Sequence, residues 1–273
     1  MIARFKQAAA DQEPLSGGML WAAAIVLALA NFMVIMDMTI ANVSIAHIAG
    51  SLAVSPTEGA WVITSYAVAE AIIVPLTGWL AARFGTVKTF LACIVIFGVC
   101  SALCGLAWSL PSLVLFRIMQ GLAGGPLMPL SQTLLRRIFP PEKQNAAIGL
   151  WSMTTVVGPI AGPILGGWFN DTVGWPWAFY INVPIAALVF FTALAMLMRY
   201  ETDLRRQRID YMGLILLVVW VGALQLMLDK GRELDWFASP VIIGLAVIAV
   251  IGFAVFVIWE LTEEHPAVDL RLF

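Results

Sequence analysis

Charge is what this sequence has least of. Only 12% of its 273 residues are Asp, Glu, Lys or Arg, and 61% are hydrophobic, whereas a soluble domain carries about 25% charged and about 45–50% apolar residues. That shortage excludes an ordinary water-soluble fold, which would have too little polar side chain to cover its surface. The formal net charge of -2 gives no argument for a nucleic-acid partner, and the placement of the charges carries the information. Cysteine is scarce as well. Cys93, Cys100 and Cys104 share one apolar run at helical spacing and read as core filler on one face, not as a disulfide framework. There are 2 histidines, His47 and His265, both expected in or near loops. No H-E-x-x-H, G-x-S-x-G or phosphate-cradling glycine loop occurs. These absences argue against a membrane enzyme, and no cofactor or metal site is expected.

Long apolar runs are what the sequence has in abundance. About 20 apolar residues cross a hydrocarbon core of roughly 30 Å as a helix, and eight such stretches lie near 19–41, 60–81, 87–107, 111–136, 146–168, 178–198, 211–229 and 240–262. The first is too long, and too poorly followed by a cleavage site, for a secretory signal peptide. Gly and Pro punctuate several stretches, which a bundle in lipid tolerates because neighbouring helices re-satisfy the freed backbone groups. The chain therefore reads as an all-α integral membrane protein.

The loops sort by charge. Arg4, Lys6, Arg83, Lys88, Arg136, Arg137, Lys143, Arg199, Arg205, Arg206, Arg208 and Arg271 fall on one side of the membrane, against Lys230 and Arg232 on the other. Twelve against two is a positive-inside bias that places both termini in the cytoplasm. The expected divisions are a cytoplasmic segment 1–18, a six-helix bundle 19–198, a basic cytoplasmic linker 199–210, two additional spans 211–262 and a cytoplasmic segment 263–273. A three-plus-three inverted repeat is plausible within such a bundle, although spans one to three and four to six share no convincing sequence similarity.

Several segments carry a resemblance. In span five, Gly149, Gly158, Gly162, Pro163, Gly166 and Gly167 form G-x8-G-x3-G-P-x2-G-G. Gly158, Gly162 and Gly166 recur every four residues, so one face lacks side chains and a neighbour can approach closely. Between spans two and three, Gly78-Trp79-Leu80-Ala81-Ala82-Arg83-Phe84-Gly85 precedes Lys88. Span four carries Arg117-Ile118-Met119-Gln120-Gly121, and span one carries Asp37-Met38-Thr39-Ile40-Ala41-Asn42-Val43. Together these resemble the motifs of major facilitator superfamily drug:proton antiporters. The chain departs from them in the second segment, where Ala82 stands at a usual aspartate and Thr86 at a usual basic residue. Trp177 to Pro184 and Leu228 to Phe237 narrow the resemblance to the fourteen-span exporters.

That resemblance implies a major facilitator fold: an N-terminal six-helix bundle plus two additional transmembrane helices, with a second bundle beginning soon after Phe273. It implies proton-coupled efflux of amphipathic or cationic drugs across a bacterial inner membrane by alternating access. A periplasmic adaptor protein and an outer-membrane channel are implied as partners. An importer of a small solute, or a non-transporting membrane fragment, are the alternatives, since fold alone does not fix direction.

An ionisable residue inside a span is costly and points to function. Asp37, Glu70 and Arg117 are the three. At 1.5 Å rise per residue, Asp37 lies roughly 27 Å from the inner start of its span, and Arg117 and Glu70 roughly 9 and 15 Å from the outer starts of theirs. They read as a stepped polar path from the outer surface to mid-bilayer. Asp37 is either part of that path or a helix-end carboxylate bonded to Thr39 or Asn42. Burial of Glu70 in a low-dielectric cavity would favour its protonated form, which suits a proton carrier. Arg117 is either a clamp on backbone and Gln120 or, as the resemblance implies, the cation that modulates nearby carboxylates. Met33, Met36, Trp61, Tyr66 and Met153 are candidates for an adaptable substrate cavity, against ordinary packing or interfacial anchoring.

Overall fold

A computed structural model describes residues 15–202, 204 and 210–263. Arg4, Lys6, Arg205, Arg206, Arg208, His265 and Arg271 lie outside the described residues, as do most of the expected terminal segments and the middle of the basic linker. Among the described residues every regular element is helical. Eight stretches are long and apolar enough to cross a membrane: Gly17–Ser51, Pro56–Phe84, Thr86–Gly105, Leu110–Ile138, Pro141–Thr172, Trp177–Tyr200, Tyr211–Lys230 and Pro240–Thr262. We number them spans one to eight.

Local chemistry sets the ends. Span two opens on a capping box in which the Ser55 hydroxyl accepts from the Glu58 backbone N–H and the Glu58 carboxylate accepts from that of Ser55, with Pro56 in the first turn. Ser109 and Ser112 cap span four in the same reciprocal way. Pro75 interrupts span two with a tight turn at Val74–Leu76, and Pro126 separates Leu110–Gly124 from Leu127–Ile138 in span four. Proline supplies no backbone N–H and its ring crowds the preceding turn. Span one outruns its expected end near residue 41 because Ile40, Ser44 and Ile48, four residues apart, remain buried on one face. The polar residues Asn42 and His47 break the apolar run there without breaking the helix.

The packing pattern is informative. Span one lies along span five and also touches four and six. Span four lies along span two and also touches three, while three packs on six. Exchanging one with four, two with five and three with six turns this set of pairs into itself. That is the signature of the three-plus-three inverted repeat known for major facilitator halves, which the sequence did not reveal. Both long pairs use glycine for close approach, but on opposite partners. Gly158, Gly162 and Gly166 of span five meet Ile35, Thr39 and Ile40 of span one. In the other pair, Gly121, Gly124 and Gly125 of span four meet Tyr66, Ala69, Glu70 and Ile73 of span two. Under the exchange, span one corresponds to four, so the small-residue face has changed sides.

Spans seven and eight pack on each other and reach the bundle through span two, where Leu217, Val221 and Phe256 meet Ala71, Ile72 and Leu76. Cys93, Cys100 and Cys104 are buried and unbridged, as core filler requires. Span five exposes much of its length, with Ile160 at 60% and Ile164 at 67%.

Candidate functional site

The bundle places its expensive side chains together. Arg117 and Asp37 have relative exposures of 0% and 1%. Arg117 Nη1 lies 2.5 Å from Asp37 Oδ2 and donates to Gln120 Oε1 at 2.9 Å, while Arg117 Nε donates to the Val62 carbonyl at 3.0 Å. The guanidinium sits 4.2 Å from the ring centre of Tyr66 and 5.6 Å from that of Phe179, so aromatic faces cover a cation already neutralised in plane. The other carboxylate oxygen, Asp37 Oδ1, accepts from Gln120 Nε2 at 3.1 Å and from Asn182 Nδ2 at 2.6 Å. Asn182 also donates to Ser101 Oγ at 3.0 Å, and that hydroxyl donates to the Phe179 carbonyl at 2.8 Å. Side chains or carbonyls from spans one, two, three, four and six thus converge on one ion pair.

A pair buried this deeply is sustained only by good geometry and by hydrogen bonds to its remaining valences. Both oxygens of Asp37 are engaged. Three neighbouring atoms are buried with no hydrogen-bond partner among the described residues: Arg117 Nη2, Asn182 Oδ1 and the Tyr66 hydroxyl. Two of these idle atoms, Arg117 Nη2 and the Tyr66 hydroxyl, are donors, and the third, Asn182 Oδ1, is an acceptor.

The expected residues distribute as follows. Asp37 and Arg117 do not form steps of a path but one closed cluster, because antiparallel spans one and four bring them to a common level. Asp37 bonds neither Thr39 nor Asn42. The Thr39 hydroxyl instead contacts the Ile35 and Met36 carbonyls at 3.1 and 3.0 Å and that of Gly158 at 3.4 Å, facing span five. Arg117 holds the Val62 carbonyl and Gln120, as a clamp would, and also pairs with Asp37. Glu70 is half-buried, and its carboxylate has no hydrogen-bond partner among the described residues.

Met33, Met36 and Tyr66 do not line an open cavity. All three are buried inside the bundle, at 0%, 1% and 0% exposure. Trp61 lies under Lys230, whose Nζ is 5.1 Å from its ring centre. Met153 is exposed beside Leu150 and Val157, bordering a shallow apolar groove with Ile25, Leu29 and Phe32 of span one.

Of the glycines singled out, Gly158, Gly162, Gly166 and Gly121 stand in close helix contact, whereas Gly78, Gly149 and Gly167 face open space. Pro163 lies within the unbroken helix Pro141–Thr172. Gly85 turns the chain between spans two and three at φ 97, a conformation that favours glycine. Arg83 stacks over Trp79 and Phe84. The carboxylate missing at Ala82 has a counterpart from elsewhere. Glu201, at the end of span six, accepts from the backbone N–H groups of Val87 and Lys88 at 3.1 and 3.0 Å, and the Thr202 hydroxyl accepts from that of Thr86 at 2.9 Å. An anion there complements the free N–H groups that open span three.

Asn182, Ser101 and Glu201 were missed as site residues. The signal for Asn182 was a polar side chain inside an apolar run, in the Trp177 to Pro184 segment.

The six-span bundle thus combines a contact pattern that repeats between its halves with a charged pair sealed between spans one and four. Residues 27–261 match the Major Facilitator Superfamily, and the chain belongs to that family. It is 52% identical over 96% of its length to the multidrug export protein EmrB of Escherichia coli, and 50% identical over 96% to the fatty acid resistance protein FarB of Neisseria gonorrhoeae. It spans about half the length of these relatives, 51% and 52%. Among solved structures, the peptide transporter POT superposes with TM-score 0.67 at 15% identity, covering 95% of this chain and 57% of that one, which shows a shared fold.

Proposed function

We propose that this chain is the N-terminal bundle, with two further spans, of a proton-coupled exporter of amphipathic or cationic drugs in a bacterial inner membrane. The observation that carries the reading is the sealed Asp37–Arg117 pair hydrogen-bonded to the Val62 carbonyl, Gln120 and Asn182, in a chain about half identical to multidrug export proteins. A proton on Asp37 removes the charge that Arg117, Gln120 and Asn182 hold, and so loosens the tie among spans one, three, four and six. Arg117, released, remains held by Val62 and the two rings. Protonation thereby changes which bundle arrangement is favoured, as coupling requires. Glu70, whose half-buried carboxylate has no hydrogen-bond partner among the described residues, lies midway along span two, about two turns inward of the Val62 carbonyl that holds Arg117, and passes the proton on toward the cytoplasm. Drug and proton alternate because both favour opposite states of one centre, while a second bundle supplies the facing wall for alternating access.

The basic loops then face the cytoplasm, as does the N-terminus. The name of the Neisseria relative, which refers to fatty acid resistance, supports amphipathic compounds as the substrate class. A periplasmic adaptor and an outer-membrane channel complete the route on this reading.

The test is efflux of a fluorescent cationic dye from energised vesicles carrying the complete exporter, this chain joined to its second bundle. The expected result is export that stops when the proton gradient is collapsed and is lost in Asp37→Asn. Dye accumulation driven inward by the same gradient would favour an importer, and no movement under any gradient would favour a non-transporting chain.

A further inference from the structure

We propose that Asn182 is a positioning residue whose side-chain amide turns over when Asp37 gains or loses its proton, so that this buried carboxyl keeps a hydrogen-bond partner in both states. The inference rests on the reading of Asp37 as the coupling carboxylate and adds the residue that makes its neutral form tolerable.

Asn182 opens the helix Asn182–Leu197 of span six and is fully buried. Its Nδ2 faces two acceptors, Asp37 Oδ1 at 2.6 Å and Ser101 Oγ at 3.0 Å. Ser101 is an acceptor because its own hydrogen goes to the Phe179 carbonyl. This orientation fits an ionised Asp37, which only accepts. A neutral carboxyl carries an O–H and needs an acceptor.

Three side chains hydrogen-bond Asp37. Arg117 has donors alone, and the two lone pairs of Gln120 Oε1 are taken by Arg117 Nη1 and by Cys104 Sγ at 3.6 Å. Asn182 Oδ1 is the remaining acceptor, buried and without a partner among the described residues, and leaving such a group unmet costs about 1–3 kcal/mol. A half-turn about the Cβ–Cγ bond exchanges Nδ2 for Oδ1 and presents that acceptor to the protonated carboxyl. The charged or titratable groups facing this centre are Tyr66 and Glu70 from span two, Cys104 from span three and Arg117 from span four. Span five faces span one with Gly158, Gly162 and Gly166. None of the titratable groups is hydrogen-bonded to Asn182 in the present arrangement. The half-turn takes Nδ2 from Ser101, whose hydroxyl then turns from the Phe179 carbonyl to donate to Asn182 Oδ1, so the turning is felt in span three.

The experiment is acid-induced infrared difference spectroscopy on the complete exporter, with the protonated Asp37 carbonyl band identified by its loss in Asp37→Asn. Asn182→Leu is expected to move that band to the higher frequency of a carboxyl lacking an acceptor, and Asn182→Gln to leave it near its original place. In vesicles, Asn182→Leu is expected to lower gradient-driven efflux about tenfold, which corresponds to about 1.4 kcal/mol, while gradient-free dye exchange stays within about twofold, a change too small to count against a hydrogen-bond loss of that size. A band unmoved by Asn182→Leu would overturn the proposal while leaving Asp37 as the coupling group. So would an equal loss of driven efflux and exchange, which marks a merely structural residue. Absence of any Asp37 band would sink the functional reading and this inference with it. Should Asn182→Leu not fold, the asparagine amide bands of the unsubstituted exporter decide the matter. They are expected to change on acidification and not to change in Asp37→Asn, and constancy in both would contradict the turnover.

Discussion

Two polar clusters hold this chain together, and they are built on opposite terms. The central one, Asp37 with Arg117, Gln120 and Asn182, is fully buried and joins spans distant in sequence. The peripheral one fastens spans seven and eight to span two at the ends of the helices. There Thr64 donates to the Asp229 carboxylate, and Lys230 Nζ lies 2.9 Å from Glu233 and over the Trp61 ring. Glu233 keeps 38% of its side-chain exposure. Apolar contacts among Leu217, Val221 and Ile72 could secure that junction alone. Helix attachment there does without a sealed charge pair, and the proposed coupling role would account for the central one.

The comparison breaks if the two clusters respond alike to substitution. Arg117→Ala leaves a buried carboxylate uncompensated and is expected to destabilise the chain by about 3–5 kcal/mol, read as a loss of thermal stability in detergent. Replacing both partners, as Asp37→Leu with Arg117→Leu, should recover much of that loss, since removing one partner is worse than removing both. Gly162→Leu comes next. Its side chain would be driven into Thr39 and the span-one backbone, and overpacking of this kind costs about 1–3 kcal/mol. The same substitution at Gly149, where a side chain meets open space, should leave melting unchanged. Asp229→Ala removes an exposed partner of Thr64 and should cost about 1 kcal/mol, visible as easier proteolysis between spans six and seven before any loss in the bundle. Glu233→Ala should change stability by less than about 1 kcal/mol, with the remaining effect vanishing at high salt.

The number and order of the spans were legible because a run of about 20 apolar residues has few other uses. Their ends were less so. Span one continues helically past Asn42 because Ile48 is still buried, a property of the neighbours and not of the run. Asp37 and Arg117 stood out as charges in lipid, but their pairing across 80 residues depends on how spans one and four cross. Asn182 was concealed by having a neutral side chain. The burial of Met33, Met36 and Tyr66 inside the bundle was not legible for a different reason. In a helix apolar on every side, periodicity does not say which face turns inward. The inverted repeat stayed hidden because its two close pairs place their glycines on non-equivalent helices.

The most direct test of the central claim is proton release on substrate binding. A cationic dye added to the solubilised complete exporter in weak buffer should displace protons from the unsubstituted protein, more slowly from Glu70→Gln, and not at all from an Asp37→Asn form that still binds the dye. Undiminished proton release from Asp37→Asn would contradict the account and reduce the buried pair to a structural clamp.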